Sequence, residues 1–153
     1  MPADVFQFDN ADDSPGFLLW QVSSMWQRQI NAGLKPFDLT HAQFVLLASL
    51  MWLANEDKPL TQVDLANHAK MDVMMTSNVL RTLEEKGLIL RKPHPTDTRA
   101  KALSITAQGR KLAGQAVPAV EAIDRKFFSQ LGADARRFNE QLLKLIVANY
   151  ADG

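Results

Sequence analysis

The chain has 153 residues, 17 Lys and Arg against 17 Asp and Glu, 46% hydrophobic residues and no cysteine. Such a composition excludes collagen-like, disulfide-rich and disordered classes, and a chain of this length buries roughly 68–70% of its unfolded surface, so one domain with or without a dimerisation arm folds without metal or disulfide. The lack of cysteine removes thiolate nucleophiles, iron–sulfur clusters, Cys-based zinc sites and thiol redox sensing.

Residues 1–13 form an acidic tail carrying Asp4, Asp9, Asp12 and Asp13, with neither the basic nor the apolar region of a secretory signal, so a cytoplasmic location is expected. Ser14-Pro15 then reads as an N-cap followed by proline at the first helical position. Leu18, Val22, Met25, Trp26 and Ile30 recur at helical spacing up to Gly33. Thr40 and Gln43 stand as a capping box, with Leu39 and Phe44 at the staple positions, and predict a second helix to about Ala54. The uncharged run from Leu39 to Asn55 is interrupted by Thr40, His41, Gln43 and Ser49 and lies at the lower limit of roughly 17–25 residues for a membrane span. It reads as a buried helix, and no membrane partner is expected.

After Lys58-Pro59 the same grammar repeats, with Thr61 as cap, Asp64 three residues on, and Leu60 and Leu65 as staple. This third helix is short and ends near His68. Asp72 caps a fourth helix whose Thr76, Val79, Leu80 and Leu83 face the core until Gly87 stops it. Two helices joined by about four residues have the spacing of a helix-turn-helix. From Leu88 the period changes to two, in Leu88 to Lys92 and Lys101 to Ile105, around a Pro-rich loop tipped by Arg99: a β-hairpin wing. Thr106 caps a fifth helix with the stripe Leu112, Ala116, Ala119, Ile123, Phe127 and Leu131, which passes through Pro118 where a kink is expected. Gly132 separates it from a sixth helix with Phe138, Leu142, Leu145 and Asn149 on one side.

The fold class predicted is therefore mainly α with a small β-hairpin. A winged helix-turn-helix domain at 36–105 joins a helical dimerisation region made of 14–35 and 106–150. Charge supports a nucleic-acid partner for the middle of the chain. Residues 58–111 hold ten Lys and Arg against Asp64, Asp72, Glu84, Glu85 and Asp97, net +5, whereas residues 1–57 hold only Arg28 and Lys35 against seven acids, net −5. A helix fits the major groove and a hairpin loop reaches the flanking minor groove. With its apolar face inward, the fourth helix turns out Met74, Ser77, Asn78 and Arg81. Asn pairs with adenine, Arg with guanine or phosphate, and Met packs on a thymine methyl.

These residues reach a family resemblance that covers roughly residues 15–150. The chain resembles the MarR-type winged helix-turn-helix transcription regulators in Leu39-Thr40 with Gln43-Phe44, in Leu60-Thr61-Gln62 with Asp64-Leu65-Ala66, and in the run from Leu83 to Ile89 with Arg91. Most specific is the wing, Pro95-Thr96-Asp97-Thr98-Arg99-Ala100-Lys101, followed by Leu103 and by Thr106 with Gly109. The resemblance implies that Arg99 enters the minor groove and that Asp97 braces it by a salt bridge. It departs from the family in Met74-Met75, where small hydroxyl residues are common, and in Asn78, where a basic residue is frequent. The candidate DNA-binding set is Met74, Thr76, Ser77, Asn78 and Arg81 on the helix and Arg91, Asp97, Arg99 and Lys101 on the wing. The partners implied are a pseudo-palindromic double-stranded operator, a second copy of the chain in a homodimer, and a small aromatic or phenolic ligand that releases a repressor.

A family-style ligand pocket would lie where the first, second and fifth helices meet, making Trp20, Trp26, His41 and Trp52 its candidates; core or interface packing is the competing reading for the tryptophans. His41, His68 and His94 fall on different elements with no paired spacing, so neither metal nor cofactor is expected. Neither a G-x-S-x-G motif nor a Gly-rich phosphate loop occurs, which argues against an enzyme. The alternative function is a winged-helix protein-interaction module, for which Asp97 and Arg99 are an ordinary turn ion pair worth about 0–1 kcal/mol.

Overall fold

Short polar residues start the helices, because each offers an oxygen to a backbone N–H that the first helical turn leaves unpaired. In the computed structural model, which describes residues 5–54 and 58–150, Ser14 Oγ accepts from the Phe17 N–H at 3.3 Å and opens α1 (Pro15–Leu34). Asp4, Glu56 and Asp57, three of the acids counted in the acidic start, lie outside the described residues, as does Asn55 at the end of the uncharged run. Thr40 and Gln43 form the reciprocal capping box of α2 (His41–Leu53), and Thr61 and Asp64 that of α3 (Gln62–Ala69). Asp72 Oδ1 accepts from the Met75 N–H at 2.9 Å to cap α4 (Val73–Glu85).

Gly87, at φ 76°, takes the left-handed turn that ends α4 and points the chain into the hairpin. Its strands are β1 (Ile89–Pro93) and β2 (Lys101–Ile105), antiparallel with Ile89 opposite Ile105 and Pro93 opposite Lys101. A third backbone segment joins them where the Leu103 N–H donates to the Leu60 carbonyl at 2.7 Å, so the residue before the α3 cap is tied to the wing. Thr106 caps α5 (Ala107–Phe128), which continues as one helix through Pro118. A 3-10 turn over Ser129–Asp134, with Gly132 at φ 54°, leads to α6 (Ala135–Tyr150).

The core centres on α2, whose Phe44, Leu46, Leu47 and Leu50 are all buried, which explains the uncharged run without a membrane. Among the described residues no helix is long and apolar enough to cross one. Leu65, Leu80, Leu83, Leu88, Ile89 and Leu103 close the core from the helix-turn-helix and wing. The same cluster includes Ile30 and Leu34 of α1 and Ala113, Ala116 and Val120 of α5, so packing runs without a break across positions 35 and 106. The buried face of α5 is thus rotated from the expected stripe. Ala116 is shared, Leu112 and Ile123 are partly buried against the core, and Ala113 and Val120 take the innermost places. Gly109 makes this possible, because a Cβ there would run into the Leu88 carbonyl oxygen.

Beyond the core, α1 and α6 keep apolar side chains in solvent: Phe17, Leu19, Trp20 and Val22 on one, Leu143, Leu145, Ile146 and Val147 on the other. No residue of α6 is buried. It is fastened near each end, by Phe138, whose ring lies tilted with its centroid 5.9 Å from that of Phe128, and by Tyr150, whose hydroxyl donates to Asn67 Oδ1 at 3.0 Å.

Candidate nucleic-acid interface

The rotation of α4 is set by its buried Thr76, Leu80 and Leu83, one helical face spaced by three and four residues. The opposite face is consequently wet. Met74 is 74% exposed, and Met75, Asn78 and Arg81 are also exposed, with Ser77 half-buried. Thr76 is corrected by this geometry. It is fully buried, its hydroxyl donates to the Asp72 carbonyl at 2.8 Å, and it cannot meet a base edge. Gln62 Nε2 donates to the Val73 carbonyl at 3.4 Å and links the start of α3 to the start of α4.

At the wing tip, Asp97 Oδ1 accepts from the Arg99 N–H at 3.0 Å and lies 3.5 Å from Arg99 Nε. The carboxylate holds both backbone and guanidinium, yet the Arg99 side chain is 91% exposed and projects into solvent. His94, which sequence reasoning set aside, is part of this device. Its Nδ1 accepts from the Asp97 N–H at 2.9 Å and the Thr96 N–H at 3.2 Å, pinning the loop that presents Arg99. The spacing of an acceptor three residues before the N–H it receives was the available signal, the same offset as a helix cap.

Arg91 differs from its expected place. It lies at the wing root with a largely buried side chain, its Nε 3.5 Å from Glu84 Oε1, so its charge is committed to tying β1 to α4. Lys101 is exposed opposite Pro93. The structure therefore presents an exposed helix face carrying Met74, Asn78 and Arg81 and a hairpin ending in Arg99, joined through the Glu84–Arg91 pair.

The four ligand-pocket candidates do not converge. Trp26 and His41 meet edge to face, centroids 5.0 Å apart, where α1, α2 and α5 come together. Trp20 is 71% exposed and Trp52 is 83% exposed, because both fall off the buried faces of their helices. Asp124, unpredicted, accepts from Trp26 Nε1 at 2.8 Å, and Phe128 stands 6.5 Å from the indole. Burial lowers the His41 pKa from 6.5, with the Asp124 carboxylate acting in the opposite direction.

Comparison with known proteins follows the same lines. The MarR family profile matches residues 39–101. The HTH-type transcriptional regulator YdcH of Bacillus subtilis is 45% identical over 80% of this chain and 84% of its own. The HTH-type transcriptional repressor Rv2887 of Mycobacterium tuberculosis is 34% identical over 88% of this chain and 96% of its own. Among solved structures, a mutant of Escherichia coli MarR in complex with operator DNA superposes with a TM-score of 0.74 at 30% identity, over 86% of this chain and 91% of that one. CouR of Rhodococcus jostii RHA1 bound to p-coumaroyl-CoA gives 0.80 at 25% identity, over 95% and 99%.

Proposed function

Because this chain belongs to the MarR family of transcriptional regulators, we propose that it is a repressor that binds a pseudo-palindromic operator as a homodimer and is released by a small aromatic ligand. One observation carries the DNA reading: a fully presented Arg99, braced by Asp97 and by His94, on a hairpin whose root is paired to the recognition helix α4. In this reading Met74, Asn78 and Arg81 enter the major groove and meet base edges, while Arg99 lies in the narrow minor groove and Lys101 meets phosphate. Arg91 acts as a strut and Ser77 as a short neighbour to the sugar–phosphate backbone. The repressor named among the relatives supports the sign of regulation, and the operator complex of the E. coli protein supports the partner.

Residues 14–35 and 106–150 would supply the dimer contacts, since the exposed apolar faces of α1 and α6 lie there, and residues 36–105 the DNA contacts. The ligand would engage the Trp26–His41–Asp124 junction, where the dimer arm meets the central helix α2; CouR, bound to an aromatic acyl-CoA, supports the ligand class. A gel-shift assay on DNA from upstream of the chain's own gene, repeated over several salt concentrations, tests the proposal. A specific complex whose affinity falls steeply with salt is expected, and no complex at low salt would refute it.

A further inference from the structure

We infer that Met74 and Met75 form an oxidation-sensitive site through which two-electron oxidants weaken DNA binding by a chain that has no thiol. The inference rests on the proposal that α4 reads DNA. Val73, Met74 and Met75 place three exposed apolar residues in succession at the start of α4, and the two methionines are 74% and 48% exposed. They share the helix surface with Asn78 and Arg81, so an oxidant dissolved in water reaches both sulfurs while the protein is off DNA. Met51 and Met71, by contrast, are partly buried against the core.

The chemistry is a single oxygen transfer from a peroxide or hypochlorous acid. With hydrogen peroxide, a sulfur lone pair attacks one oxygen and an S–O bond forms as the O–O bond breaks. Sulfur loses two electrons to the peroxide, and the proton of the transferred oxygen passes through solvent to the departing hydroxide, giving water. The product sulfoxide is polar, and its oxygen carries partial negative charge. An apolar contact for a thymine methyl becomes an acceptor facing acceptor-rich base edges and anionic phosphates.

The test uses the full-length protein and a duplex from its own upstream DNA, with hydrogen peroxide as oxidant and mass spectrometry to count sulfoxides. Untreated protein binds; after oxidation, affinity should fall about tenfold, and methionine sulfoxide reductase with a dithiol should restore it. A dithiol alone should not. Each variant is compared with its own untreated form: Met74→Leu/Met75→Leu should lose the oxidant effect, whereas Met25→Leu, a change at the exposed methionine of α1, should keep it. Prebound DNA should slow sulfoxide formation at Met74. Unchanged affinity with both sulfoxides formed, or an undiminished loss in Met74→Leu/Met75→Leu, would overturn the inference while leaving the DNA reading intact. Failure of the untreated protein to bind would overturn both.

Discussion

Arg99 and Asn78 differ in what they touch in the proposed complex, and their substitutions should separate accordingly. Arg99→Ala removes an exposed charge that the backbone does not need, so the protein stays folded while affinity falls on many sequences alike and the salt slope flattens by about one unit. Asn78→Ala or Arg81→Ala should instead cost about 1–3 kcal/mol on the cognate operator and relax preference at one position. Titrations against operator and scrambled duplexes measure both, and equal losses on the two duplexes for Asn78→Ala would remove it from the base contacts. His41 carries a pH dependence of stability. Its pKa is lowered in the folded protein, chiefly by burial, so the unfolded chain takes up the proton first as pH falls below 6.5. The contribution is present above that pH and is lost as pH falls through the folded value. Thermal melts between pH 7 and pH 5 should show this loss, and His41→Gln should shallow the slope.

At the scale of elements, two glycines of α5 make opposite demands. Gly109 lies where the helix passes the Leu88 carbonyl, and Gly109→Ala should destabilise the fold by about 1–3 kcal/mol because backbone must move. Gly114, on the same helix, has open space around a would-be Cβ, and Gly114→Ala should stabilise by about 0.5–1 kcal/mol. Chemical denaturation of the pair checks the packing of α5 on the wing root. Helix α4 and the hairpin are also tied to their neighbours, through Glu84–Arg91 and through the Leu60–Leu103 bond that fastens the α3 cap to β2. Tyr150 extends these ties to α6. Its hydroxyl reaches Asn67, and Lys70 Nζ sits 4.3 Å from its ring centroid, where a cation is favoured.

For the whole molecule, the apolar faces of α1 and α6 decide the expected association. Val147 is 73% exposed and Trp20 nearly as much, and side chains of this size left in solvent along two helices are what the proposed dimer would cover. Sedimentation should give a dimer at micromolar concentration; a well-folded monomer there would refute it. A two-fold dimer then sets half-sites about 10–10.5 bp apart or a multiple of that, which footprinting reads directly.

Local chemistry made most of the architecture legible in the sequence. Ser14, Thr40, Thr61, Asp72 and Thr106 each cap the helix they were expected to cap, because a cap is a bond between residues two or three apart and needs no tertiary partner. Periods of 3.6 and 2 likewise gave the six helices and the hairpin, and Asp97 beside Arg99 announced the wing tip. Tertiary packing alone decided the rest. Which tryptophan packs against the core depends on the rotation of each helix against its neighbours, and so Trp26 is partly buried there while Trp20 and Trp52 stayed out. Thr76 is lost from the exposed face of α4 for the same reason. The Trp26–Asp124 bond joins residues 98 apart and the Tyr150–Asn67 bond residues 83 apart, and no local pattern encodes a contact whose partners meet only when the core between them has closed.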